Sequence, residues 1–258
     1  MKKFTSGNAV ITVFGVLSVS ILPALAADPS ADGLLRQMSA KLAASQSFSF
    51  EAIREIDAAL CEGMAIPEKA KVTVVVQRPD KIAVRSVSYA GTRRFVADGK
   101  TLCLLDQKSN HYAAVPMRTS LDGLVEQLDT KYGFIPPLAE FAVSNPYKEL
   151  RGQAKTLTYL GQAKTLAGFL GWFGEDCHRI LLKGKEADAE IWISVKDSLP
   201  RQLTATFHRE GKPQLKISFS KWNLAAPVSA GTFTFVPPAG SEQIEMWSNA
   251  KMQTATKR

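Results

Sequence analysis

Metal-binding and catalytic residue types are scarce in this chain. Its only histidines are His111, His178 and His208, and none stands in a His-x-x-x-His or Cys-x-x-Cys arrangement, which removes the usual zinc-site spacings. Cys177 and His178 are neighbours, and in a strand adjacent side chains point to opposite faces, so they neither share a metal nor form a nucleophile–base pair. There is no Gly-x-Ser-x-Gly elbow and no phosphate-binding glycine loop. The carboxylates are scattered, so paired-carboxylate chemistry has no sequence basis. Nothing here specifies an enzyme, a metal site or a cofactor.

Long apolar runs are equally rare. After Leu25 none approaches the roughly 20 residues that span a bilayer. The run Ala9 to Leu22 is too short to span, but Lys2 and Lys3 precede it, and Pro23 and Ala24-Leu25-Ala26 follow it. That is the pattern of a cleavable signal peptide over residues 1–26. The expected product is a periplasmic protein, with one domain over 27–247 and a flexible tail over 248–258. No cysteine follows the run to carry a lipid. The net charge is +8, and loss of Lys2 and Lys3 leaves 30 basic against 24 acidic residues, or +6. The basic residues are interspersed, without the aromatic interleaving of a nucleic-acid surface. Three cysteines in an oxidising compartment leave at least one thiol unpaired; Cys61 in a loop and Cys103 in a strand are the candidate pair.

What is present is a change of period. Leu34, Leu35, Met38 and Leu42 recur at helical spacing, with Ser30 or Asp32 as cap. From Ser47 the period becomes two: Phe48 and Phe50 alternate with Ser47, Ser49 and Glu51. Strands follow around Val72–Val76, Ile82–Val84, Arg93–Ala97, Thr101–Asp106 and His111–Val115, with Asp98-Gly99 as a hairpin turn. Thr119-x-x-Asp122 resembles a capping box for a helix ended by Gly133. Pro136-Pro137 opens a shorter helix that Asn145-Pro146 closes. Gln153–Leu157 recurs as Gln162–Leu166, read as two adjacent β segments. Strands over Cys177–Lys183, Ala189–Val195, Arg201–Phe207 and Gln214–Trp222 follow, then a short one over Thr232–Val236. In three of them Ile191/Ile193/Val195, Leu203/Ala205/Phe207 and Leu215/Ile217/Phe219 share one face. The class is α+β, mainly β. Periodicity does not decide whether the sheet closes around its helices or curls over them.

An ordered set of strings sharpens this. Gln77-Arg78-Pro79-Asp80-Lys81, Ala97-Asp98-Gly99-Lys100-Thr101-Leu102 and Asn110-His111-Tyr112-Ala113 are followed by Asn145-Pro146-Tyr147 and Ile191-Trp192-Ile193. Leu199-Pro200-Arg201, Lys221-Trp222-Asn223 and Phe233-Thr234-Phe235-Val236-Pro237-Pro238 complete the series. Together they resemble the domain-of-unknown-function 2092 family of predicted periplasmic proteins, which is similar in turn to the LolA/LolB lipoprotein-carrier superfamily. The resemblance implies a strongly curved, open half-barrel of antiparallel strands, with helices covering the concave face and an apolar cavity between them. Carriers of this kind hold acyl chains there. The chain lacks the lipidated cysteine of LolB-type receptors.

On that expectation Phe48, Phe50, Phe95, Leu102, Leu104, Leu128, Phe141, Ile193, Phe207 and Phe219 are the candidate cavity lining. The alternative is that they only pack helices onto the sheet. Trp172, Trp192 and Trp222 are core or rim, and Arg78, Arg93 and Arg94 either meet an anionic headgroup or are solvated. The function expected is a non-enzymatic periplasmic binding protein for a hydrophobic small molecule or acyl chain. The alternative is an interaction or envelope-stress sensing module that uses the same sheet to bind envelope proteins.

Overall fold

The computed structural model describes residues 29–60, 66–134, 138–165, 174–249 and 251, so the expected signal peptide lies outside the described residues. Helix α1 (Ala31–Ala43) begins at Ser30, whose hydroxyl accepts from the Gly33 N–H at 3.0 Å. This satisfies one of the amide donors that every helix start leaves open. Asp32 lies inside the first turn, where it accepts from Arg36 Nε and from the Tyr147 hydroxyl, both at 2.6 Å. The Tyr147 bond ties α1 to α3 (Pro146–Gln153). Leu35, Met38 and Leu42 form the wholly buried stripe of α1.

Strands β1 (Ser47–Ile56), β2 (Glu68–Gln77), β3 (Lys81–Ser88), β4 (Gly91–Asp98), β5 (Thr101–Asp106) and β6 (His111–Pro116) form an antiparallel meander. The Asp98-Gly99 turn is as expected: Gly99 has φ +86°, and Asp98 Oδ1 accepts from the N–H groups of Lys100 and Thr101 at 2.8 and 2.7 Å. A Cβ at Gly99 would lie 2.1 Å from Asp80 Oδ2, so the turn requires glycine. A second antiparallel meander comprises β7 (Ala154–Lys164), β8 (Asp176–Gly184), β9 (Ala187–Ser194), β10 (Pro200–Phe207) and β11 (Gln214–Asn223). Pairing of β11 with β1 fuses the two meanders, and β12 (Glu242–Gln243) adds to β6 in parallel. The order is β12-β6-β5-β4-β3-β2-β1-β11-β10-β9-β8-β7, with the outermost strands unpaired to one another. The sheet is therefore open. It curves, because apolar side chains from β1–β5 and from β8–β11 reach the same core cluster as α1 and α2 (Leu121–Gln127).

Several local expectations fail for identifiable reasons. The cap of α2 is Ser120, whose Oγ accepts from the Gly123 N–H at 3.3 Å, while Asp122 turns away to accept from the Ser144 N–H and hydroxyl at 2.9 and 3.0 Å. The helix continues as a π turn over Leu128–Tyr132 before Gly133, at φ +71°, ends it. Pro136 and Pro137 lie outside the described residues, and Ala139–Phe141 is a single 3₁₀ turn. Asn145-Pro146 starts a helix where an end was expected, since Asn145 Oδ1 accepts from the Lys148 N–H at 3.0 Å and proline suits the first turn. The recurring Gln-Ala-Lys-Thr-Leu strings are not two strands. Ala154–Leu157 and Gln162–Lys164 lie in the one strand β7, separated by a bulge containing Gly161 at φ +86°. Strand β9 stops at Ser194, whose hydroxyl accepts from the N–H groups of Lys196 and Asp197, so Val195 is 45% exposed and leaves the face it was assigned to. Thr232–Val236 forms no strand; a 3₁₀ turn over Ala230–Phe233 leads into extended chain.

Candidate apolar binding site

The middle of the concave face is filled by rings. Phe50 lies 4.4 Å from Trp222 and 5.7 Å from Phe219 between centroids, and Phe141 meets Phe219 edge-on at 5.1 Å. Phe48 stacks beside Phe50 and is wholly buried. Such ring pairs add to the burial of each ring. Arg78 secures the cluster from one end: its guanidinium lies 5.6 Å from the Phe48 ring and donates to the Ala142 and Leu42 carbonyls at 2.9 and 3.5 Å. Arg78 is thus half-buried and engaged by the core.

Toward the β3–β4 turn the packing loosens in two steps. Beneath α2 lies a crevice of about 20 Å³ between Val74, Ile82, Val84 and Phe95 of the sheet and Leu121, Leu124 and Leu128 of the helix and its π turn. That is room for about one water. Val84 and Phe95 also line an adjoining pocket of about 330 Å³, open to solvent, whose other apolar walls are Val72, Leu104 and Phe134. Register places its sheet residues on one face: Val84 opposes Phe95, which opposes Leu104.

Two residues further along each strand the same face turns polar. Val84 gives way to Ser86, Phe95 to Arg93 and Leu104 to Asp106, and all three polar residues border the pocket. Arg93 Nε donates to Asp106 at 3.3 Å. On β1 the bordering residue is Arg54, which donates to Glu68 Oε2 at 2.5 Å, and Glu68 accepts a second bond from the Ser88 hydroxyl at 2.8 Å. The site therefore has an apolar floor and one polar end.

Of the expected lining residues, Phe95 and Leu104 form the pocket and Leu128 the crevice. Phe48, Phe50, Phe141 and Phe219 are packing residues, as are the buried Leu102 and Ile193. Phe207 stands apart at the end of β10, half-buried, with the Arg209 guanidinium 5.8 Å from its ring. Arg54, Val72, Val84 and Phe134 were missed. The paired offsets Phe95/Arg93 and Leu104/Asp106 in strands of known register would have pointed to this end of the sheet. Trp222 is half-buried and packs against the core, whereas Trp192 donates to Glu190 at 2.7 Å, and Trp172 lies outside the described residues. Cys103 is a free buried thiol, and Cys61, its expected partner, lies outside the described residues. Burial pushes the buried Cys177 thiol up to about 11. The described residues contain no group of three or more His, Cys, Asp or Glu able to hold a metal, and no helix long and apolar enough to cross a membrane.

An open antiparallel sheet wrapped over short helices, with an apolar recess on its concave face, defines the structural class. The chain belongs to the family of predicted periplasmic proteins designated DUF2092, whose model matches residues 31–247. An uncharacterized conserved protein from Thermus thermophilus shares the fold, with 10% identity and a TM-score of 0.50 over 84% of this chain and 99% of that one. A LolA superfamily protein from Nitrosomonas europaea is 12% identical, with a TM-score of 0.38 over 80% of this chain and 98% of that one. MucB in the Pseudomonas aeruginosa MucA/MucB complex is 14% identical, with a TM-score of 0.44; the match covers 80% of this chain and 61% of MucB. No curated protein matches the chain.

Proposed function

We propose that the protein is a non-enzymatic binding protein of the periplasm that takes the acyl chain of a lipid or acylated partner into the pocket floored by Val84, Phe95 and Leu104. The pocket itself carries this reading. Its volume of about 330 Å³ falls at the lower end of the roughly 300–1,000 Å³ typical of ligand sites. Each methylene that leaves water for such a floor contributes about 0.8 kcal/mol. Arg54, Ser86 and Arg93 stand where the hydrocarbon would end and a polar linkage begin. Export is supported by the signal pattern over residues 1–26 and by the family description.

Native mass spectrometry of protein purified without detergent, with lipid extraction of the same sample, should find hydrophobic species bound one to one. A fluorescent fatty-acid probe should saturate the protein, and Leu104→Trp should weaken that binding at least tenfold while the thermal midpoint stays close to wild type. Absence of any bound species together with probe binding indifferent to Leu104→Trp would remove the reading.

A second reading, a protein-interaction or envelope-stress sensing module, is favoured by β7. This eleven-residue edge strand has no strand partner on its outer side among the described residues, and an extended peptide can add to such an edge. Lys155, Lys164 and the Gly161 bulge blunt that edge. The pocket therefore takes precedence.

A further inference from the structure

The end of the sheet where the pocket opens also exposes two large apolar side chains, Ile66 and Tyr89, each 56% exposed. Tyr89 lies in the β3–β4 turn and donates to the Ile66 carbonyl at 3.5 Å. Ile66 precedes β2, whose first residues run beside the end of β3, where Ala70 opposes Ser88. The two side chains therefore share one tip of the sheet.

Around this tip the surplus charge is positive. Arg85 and Arg94 oppose each other directly across β3 and β4, an arrangement that destabilises a sheet when left uncompensated. By strand alternation Arg85 points to the face away from the helices, where it is exposed, while Arg94 is half-buried and also borders the rim of the pocket. Lys108, in the β5–β6 turn, is exposed and packs against Gly91 at the same end. None of the three makes an ion pair with a described residue. The carboxylates close by are already engaged: Asp106 by Arg93, Glu55 by Lys69, Glu51 by Lys71 and Lys221, and Glu68 by Arg54.

We propose that this tip docks on an anionic phospholipid surface, with Ile66 and Tyr89 entering the headgroup region and Arg85, Arg94 and Lys108 facing the phosphates. Exposed apolar side chains flanked by cations are the composition that binds membrane interfaces. Each basic residue held near an anionic leaflet raises partitioning by about fivefold. An acidic protein would account for the charges but not for the adjoining apolar pair. Docking in this pose turns the polar end of the pocket, marked by Arg93 and Asp106, toward the bilayer. It goes beyond the ligand-binding reading and holds whatever the pocket contains.

The test is co-sedimentation of the protein, purified from the periplasm, with vesicles of phosphatidylcholine alone or mixed with phosphatidylglycerol. Binding should appear on the mixed vesicles only and should weaken with salt. Arg85→Glu with Arg94→Glu should lower it at least tenfold, and so should Ile66→Ser with Tyr89→Ser at unchanged charge. Lys155→Glu with Lys183→Glu, on the far strands β7 and β8, should leave it unaltered. Leu104→Trp should also leave it unaltered, which separates a failure here from a failure of the pocket. Circular dichroism and melting confirm each fold, with Arg85→Gln/Arg94→Gln as the milder replacement. Equal partitioning to both vesicle types, an equal loss in the β7–β8 variant, or binding to polyglutamate without vesicle binding would overturn the proposal.

Discussion

Removing Arg54 alone should destabilise the protein far more than removing Arg54 and Glu68 together. Their side chains are only 12% and 4% exposed, so both charges have lost most of their water. Compensation is incomplete: Glu68 accepts from Arg54 and Ser88, but Arg54 Nε is buried without a hydrogen-bond partner. Arg54→Met would strand the Glu68 carboxylate, a loss of about 3–5 kcal/mol. In a domain of this size 1 kcal/mol corresponds to roughly 2–4 °C, so the melting midpoint should fall by on the order of 10 °C. Arg54→Met with Glu68→Leu removes both desolvation penalties and should return stability to within about 1 kcal/mol of wild type. Urea unfolding followed by tryptophan fluorescence gives all four corners of the cycle and hence the coupling energy. A double variant as unstable as Arg54→Met, or an Arg54→Met cost below about 1 kcal/mol, would refute the assignment of this pair as buried and mutually dependent.

Two further outcomes follow from titratable groups. Burial, reinforced by Glu149, pushes the Glu140 carboxyl up to about 7. The folded state then holds a proton that the unfolded chain releases near its ordinary value, so the contribution of Glu140 to stability is greatest below about pH 4.5. That contribution should decline by about 2–3 kcal/mol as pH rises from about 4.5 to about 7, then level off; melts of wild type and Glu140→Gln across that range should differ by this slope. Burial likewise raises the Cys177 thiol to about 11. Because the thiolate is the reactive form, iodoacetamide should spare Cys177 in native protein and modify it in urea, read by peptide mass spectrometry. Rapid native alkylation would contradict the enclosed environment.

Much of the sheet was legible because strand periodicity is local. Phe48 and Phe50 declared the inner face of β1, and Asp98-Gly99 declared its hairpin by turn chemistry alone. The failures lie where a distant partner decides. Asn145-Pro146 reads equally as an end or a beginning until Asn145 is seen bonded to Lys148, and the recurrence in β7 reads as two strands until Gly161 is seen in a bulge. The site was legible only in part for the same reason. Phe50 and Phe95 both sit inward on strands, yet Phe50 meets Trp222 and Phe219 while Phe95 faces the pocket. What separates them is that β11 rings pack on Phe50 while Phe95 lies at the edge of α2, and no periodicity encodes that.

The position of the recess follows from a mismatch of lengths. Strand β2 has ten residues and so runs about 33 Å, whereas the roof above it, α2 with its π turn from Leu121 to Tyr132, reaches only about 18 Å. That roof by itself leaves part of the concave face to α1 and the 3₁₀ turn over Ala139–Phe141, whose Leu35, Met38, Leu42 and Phe141 are buried in the same core, and part to the open pocket. A sheet shaped by stability alone would turn polar at the margin of the roof, because bare apolar surface gains nothing from folding. Here Val84 and Phe95 lie at the edge of α2, lining both the crevice beneath it and the open pocket, Leu104 lines the pocket alone, and the next inward positions become Arg93 and Asp106. Val72 and Phe95 are buried members of the core cluster and Leu104 packs against it, so this pleat serves the fold as well as lining the recess. The short roof and the change of polarity act together: the first opens the recess, and the second gives it an apolar floor with one polar end.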